Sequence, residues 1–120
     1  MSRMDKQMMN TNVVSYGRFP MNIDQTTVDM MTEQIDMFMD LLGLTEVESF
    51  YELCRKHEAP KHLRDAVDAC IEYECALLTF SLTTLNPDER VALHLVDMMK
   101  DDGIEVYFVH AESTIKTLLK

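Results

Sequence analysis

Between Phe19 and Cys54 the chain carries no lysine or arginine, yet Asp29, Glu33, Asp36 and Asp40 recur there at 4-3-4 spacing. On a helix that spacing sets the four carboxylates within roughly 60° of one another along about 16 Å. Like charges so placed destabilise a helix by a few tenths of a kcal/mol per pair. A row kept at that cost suits a cationic partner; the plainer alternative is a solvated face. Met30, Met37 and Leu41 fall on the far side of the same helix, away from its core-facing stripe. Methionine is flexible and polarizable, so this flank is suited to burial against another chain. Asp29, Glu33, Asp36, Asp40, Met30, Met37 and Leu41 are therefore the expected partner-binding set.

A second concentration is basic. Arg55, Lys56, Lys61 and Arg64 share ten residues with His57 and His62. Pro60 there reads as the first turn of a helix, whose amino end adds positive potential. The segment is a candidate anion site for a phosphate or an acidic peptide, or it simply neutralises nearby acids. It holds no aromatic or glycine, which argues against a platform for nucleic-acid bases.

Metal and catalytic chemistry are weaker readings. Cys54 and His57 stand at i, i+3, but Cys70 and Cys75 would diverge by roughly 140° on one helix, and a closed zinc site needs convergent ligands. His57-Glu58 and His62 are spaced i+5 across Pro60, which does not make a metalloprotease helix. Glu74 falls within an apolar helical stripe of Leu63, Val67, Cys70, Leu77, Leu78 and Ser81. It is expected to be a buried acid, with His94 as partner. Asp97, Asp101 and Asp102 do not form a calcium loop. The sequence has no phosphate-binding glycine loop, nucleophile elbow or paired redox cysteines. No metal and no cofactor are expected.

The elements that would carry these residues read as mainly α. Residues 1–11 look like a flexible leader and 12–120 like one helical domain. Asn12 to Phe19 reads as a short strand closed by Gly17 and Pro20. A helix from Asp24 to Leu42 is set by Val28, Met31, Ile35, Phe38 and Leu42 and ended by Gly43. Thr45-Glu46-Val47-Glu48 resembles a capping box and predicts a second helix reaching His57. A third, about 61–84, is apolar nearly all round in its second half and is expected at the centre of four main helices. Asn86-Pro87-Asp88-Glu89 opens the fourth, which Gly103 ends. Ile104 to His110 reads as a short strand, paired with the N-terminal strand or across a dimer axis. Ala111 to Lys120 closes the chain with a short helix.

One domain is what 120 residues allow. The 21 acidic and 11 basic side chains give a net charge of −10, which disfavours direct nucleic-acid or membrane binding. Three cysteines and a polar start without an apolar signal region point to reduced thiols in a cytoplasm. The combined expectation is a small acidic, non-enzymatic protein-binding regulator, inhibitor or adaptor. It would self-associate and meet a protein partner with a basic surface, in the manner of small phage or mobile-element proteins. One alternative is a mimic of nucleic acid that occupies a DNA-binding protein. The other is a metal-binding or enzymatic protein using Glu74, His57 and Cys54.

Overall fold

The structure is a computed structural model that describes residues 11–55 and 60–110. The chain runs β1 (Asn12–Pro20), α1 (Gln25–Leu42), β2 (Thr45–Cys54), α2 (Leu63–Tyr73), β3 (Ala76–Thr79), α3 (Leu82–Leu85), α4 (Glu89–Asp101) and β4 (Val106–Phe108). The four strands form one parallel sheet in the order β2-β1-β3-β4. The fold is thus α/β, and the expected mainly α architecture is incorrect.

Two segments account for the difference. Thr45–Cys54 is a strand, pairing along its whole length with β1 from Asn12↔Thr45 to Pro20↔Cys54. Phe50, Glu52 and Cys54 turn inwards and Ser49, Tyr51 and Leu53 outwards, a period of two that the apparent capping box masked. The supposed central helix 61–84 is three elements. Its first part, α2, ends where Glu74 adopts a left-handed conformation with φ 53°. Cys75 N–H then donates to Cys70 O at 3.0 Å, and Ala76–Thr79 continue as a strand with all four residues buried. A short apolar run fits a buried parallel strand as well as a buried helix.

Elsewhere the local signals hold. The Asp24 carboxylate caps α1 by accepting from Thr27 N–H at 2.7 Å, and Gly43 ends it at φ 67°. Asp88 caps α4, accepting from Arg90 N–H at 2.9 Å. The last strand is shorter than expected and pairs with β3, not with β1. The expected leader (residues 1–10 of it) and the closing helix at 111–120 lie outside the described residues.

Helices cover both faces of the sheet. Leu63, Ala66, Cys70, Leu82, Leu85, Ala92 and Met99 from α2, α3 and α4 pack on Val14, Tyr16 and Leu77. On the other face Ile35 of α1, with Phe38 and Met39, packs on Val13, Ala76 and Leu78. After β1 the chain steps to one side through α1, and after β2 it crosses to the other side through α2. The carboxyl ends of β1 and β3 therefore flank a topological switch point, where open parallel sheets bind ligands.

Candidate functional site

At the carboxyl ends of β1 and β2 lies a pocket of about 700 Å³. Arg18, Phe19 and Pro20 of β1 line it, with Met21 and Asn22 beyond. Cys54 and Arg55 close it from β2, and Pro87 from the link between α3 and α4. Two guanidinium-bearing residues over an apolar wall form a setting for an anion, because arginine keeps its charge and offers a planar fork to phosphate.

The cations are not spread evenly. Among the described residues, Arg18 and Arg55 lie at strand ends, while Lys61, Arg64 and Arg90 lie at the starts of α2 and α4. In a parallel α/β sheet, strand carboxyl ends and helix amino ends share one side of the molecule. Lys100 alone stands elsewhere, in the last turn of α4. The opposite side collects Asp40, Glu46, Glu72, Glu74, Asp97, Asp101, Asp102 and Glu105. Within a net charge of −10 the described cations are thus gathered at one end, where Asp24, Asp65, Asp88 and Glu89 at the helix starts stand among them. Some of the basic side is already compensated: Arg64 meets Asp68 at 3.6 Å and His62 meets Asp65 at 3.3 Å, both exposed.

Beneath the pocket sits a buried carboxylate. Glu52, 8% exposed, accepts from the Tyr16 hydroxyl at 2.6 Å. The backbone N–H groups of Lys61 and His62 donate to it at 2.9 Å each, and Cys54 Sγ approaches at 3.6 Å. Burial alone would raise its pKa, but the Tyr16 hydroxyl, the two amides and the thiol outweigh burial and hold it below the ordinary carboxylate range. The same arrangement pushes the Tyr16 phenol up, through burial first and the Glu52 carboxylate second. Glu52 ties the end of β2 to the entry of α2 and so fixes the two ends of the basic junction. At the switch point, Thr79 Oγ1 donates to Tyr16 O at 2.9 Å and joins β3 to β1.

Hydroxyl side chains gather nearby at the end of β3, where Ser81 Oγ lies 3.3 Å from both Thr83 Oγ1 and Thr84 Oγ1. None of these lines the pocket. Burial pushes the Cys70 thiol up to about 12, and the neighbouring Cys75 adds to the effect, which leaves it a poor nucleophile. Among the described residues no group of three or more His, Cys, Asp or Glu could hold a metal ion.

The residues singled out from sequence are dispersed. Arg55 is in the pocket and Lys61 and Arg64 stand at the start of α2, whereas Lys56 and His57 lie outside the described residues. Asp29, Glu33, Asp36 and Asp40 are exposed along one flank of α1; Met30, Met37 and Leu41 are exposed on another. Glu74 is not a buried acid: it is an exposed helix cap, and His94 is exposed as well. Cys54 is buried against Glu52 rather than set for a metal. Arg18, Tyr16 and Glu52 escaped sequence reading. Period-two reading of Thr45–Cys54 would have put Glu52 in the inward register between Phe50 and Cys54.

No family model and no curated protein matches the sequence. The fold is similar to that of the N-terminal catalytic domain of TP901-1 integrase, with a TM-score of 0.64 over 90% of this chain and 87% of that one, at 16% identity. This likeness overturns the expectation of a non-enzymatic regulator, inhibitor or adaptor, and that of a nucleic-acid mimic. Both had rested on the carboxylate row and Met-rich flank of one helix and on missing motifs, none of which reports on the fold. Among the described residues no helix is long and apolar enough to cross a membrane.

Proposed function

We propose that this chain is an integrase-like catalytic domain and that a DNA backbone phosphate sits in the carboxyl-end pocket. The observation that carries this reading is the convergence of Arg18 and Arg55 on one pocket, at the ligand-binding end of a fold shared with an integrase catalytic domain. In phosphoryl transfer, charge builds on the phosphate oxygens, and fixed arginines stabilise it more than they stabilise the ground state. The Glu52 hydrogen bonds hold the ends of the basic junction in place and so contribute preorganisation. The attacking oxygen comes from outside the lining, since no hydroxyl side chain is part of it.

The expected exclusion of nucleic acid followed from treating −10 as uniform. With most described cations gathered at one end, a duplex approaches that end against the opposition of Asp24, Asp65, Asp88 and Glu89, which share it. Binding by this domain is expected to be weak and salt-sensitive, because few phosphates are neutralised. Fluorescence anisotropy with a labelled short duplex at low salt tests the reading, alongside nicking of supercoiled plasmid. Arg18→Ala with Arg55→Ala should weaken duplex binding about tenfold or more and abolish any nicking. Binding that is absent, or unchanged in the double variant, rejects the pocket as a phosphate site.

A further inference from the structure

The face of β2 opposite α2 is bare. The apolar layer beneath α1 draws on β1, β3, β4 and the residues around them, with no β2 residue in it. Tyr51 is 44% exposed and Leu53 55%, and Val47 at the irregular start of the strand is 43% exposed. The Tyr51 ring lies over Gly17, where any Cβ would collide with it. It also stacks on Phe19 at 6.0 Å between centroids and 17° between planes. The floor is therefore a fixed aromatic and aliphatic surface rather than a loose side chain.

This surface has an acidic wall. The 100° turn per residue puts Asp29, Glu33, Asp36 and Asp40 on one flank of α1, away from Gln34, whose amide oxygen meets His110 Nε2 at 3.0 Å beyond the opposite edge of the sheet. Measured from buried Ile35, Asp36 and Asp29 stand about 100–120° round on the β2 flank, while Asp40 and Glu33 stand about 140–160° round, above it and towards solvent. Burial, then the charges of Glu46 and Asp36, push the Tyr51 phenol up against a lowering hydrogen bond with Ser15, which places Asp36 near the ring. No lysine or arginine occurs from Phe19 to Cys54 to neutralise the wall.

Finally, β2 is a ten-residue edge strand. It pairs with β1 on one side, and among the described residues nothing pairs on the other. Proteins commonly blunt such edges with charged residues, proline, bulges or a covering element. Thr45–Cys54 has no lysine or proline, and its protection is acidic, from Glu46 and Glu48, with a bulge at its start opposite Val13 and Val14. Its glutamates, with the α1 acids, oppose pairing with a second copy of the same strand, since both copies would bring like charge. They do not oppose a basic strand.

We infer that the β2 edge and its bare face form a docking site for an extended, lysine- or arginine-bearing segment of a partner protein, added to the sheet as a fifth strand. Its backbone would complete the edge, its apolar side chains would lie on Tyr51 and Leu53, and its cations would meet the α1 carboxylates. The site adjoins the carboxyl-end pocket, which Phe19 and Cys54 also line, but it stands whether or not that pocket takes DNA.

The probe is a capped ten-residue peptide alternating lysine and valine, titrated into the full chain and followed by backbone amide NMR. The shifts should concentrate in Thr45–Cys54. Asp29→Asn, Glu33→Gln, Asp36→Asn and Asp40→Asn together should weaken binding about tenfold or more, and a glutamate-for-lysine peptide should bind at least as poorly. This variant relieves like-charge repulsion, so its fold is retained or stabilised; Leu53→Asp tests the floor separately. Shifts confined to elements other than β2 and the acidic flank of α1, or equal affinity of the quadruple variant, overturn the inference. So do β2 shifts that depend on protein concentration without peptide, which mark a second copy as occupant. Binding that appears only after removal of residues 1–10 marks the chain's own start as occupant and overturns it equally.

Discussion

A carboxylate surrounded by donors has to be ionised to keep them all satisfied, since a protonated or amide group turns one acceptor into a competing donor. Glu52 is in that position, between the Tyr16 hydroxyl and the amides of Lys61 and His62. Its lowered pKa means that the folded state holds the charged form better than the unfolded chain does. That stabilisation is complete above the ordinary glutamate value of 4.5 and is lost as pH falls through the lowered folded value. Glu52→Gln keeps the shape and misplaces two N–H groups among donors. We expect it to cost about 2–3 kcal/mol at pH 7, measured by urea unfolding. The gap to the parent protein should narrow as the pH is taken below 4.5. A gap that stays constant with pH would mean that Glu52 acts through shape alone. None of this was legible from residue type: a glutamate in a charged stretch reads as solvated until strand period sets it inward.

At the scale of elements, legibility depended on whether a signal was local. Asp24 and Gly43 bracket α1 because capping is decided within one turn, and the sequence shows it. The identity of β2 and β3 was decided by what lies beside them. Ala76–Thr79 is a strand because β1 and β4 pair with it on both sides, information that no window around those residues contains. The break before β3 leaves a trace in energy. Glu74 holds φ 53°, a conformation costing a non-glycine residue about 1 kcal/mol or more, and one where glycine is the usual helix-ending residue. Glu74→Gly should therefore raise stability by about 1 kcal/mol, read as a higher urea midpoint at unchanged slope. A buried, paired Glu74, as its place in the apolar stripe suggested, would instead make the same change destabilising.

For the whole molecule the relevant quantity is the distance between its two charge populations against the reach of a charge in salt. Asp97, Asp101 and Asp102 follow Pro87, which lines the pocket, by ten to fifteen residues along α4, and so lie about 15–20 Å from it. The Debye length is about 10 Å at 0.1 M salt and about 30 Å at 0.01 M. At ordinary ionic strength the pocket should accordingly be largely screened from Asp97, Asp101, Asp102 and Glu105, and at very low salt it should feel them. Neutralising these four as Asn, Asn, Asn and Gln should strengthen duplex binding several-fold near 10 mM salt and leave it almost unchanged near 150 mM. Arg18→Ala, acting at the pocket itself, should weaken binding at both. Anisotropy titrations of the three proteins at the two salt concentrations separate the effects. If the acidic-end variant gains as much at 150 mM as at 10 mM, DNA lies along the acidic side rather than against the carboxyl ends of the strands. The placement of the duplex at the cationic end then fails with it.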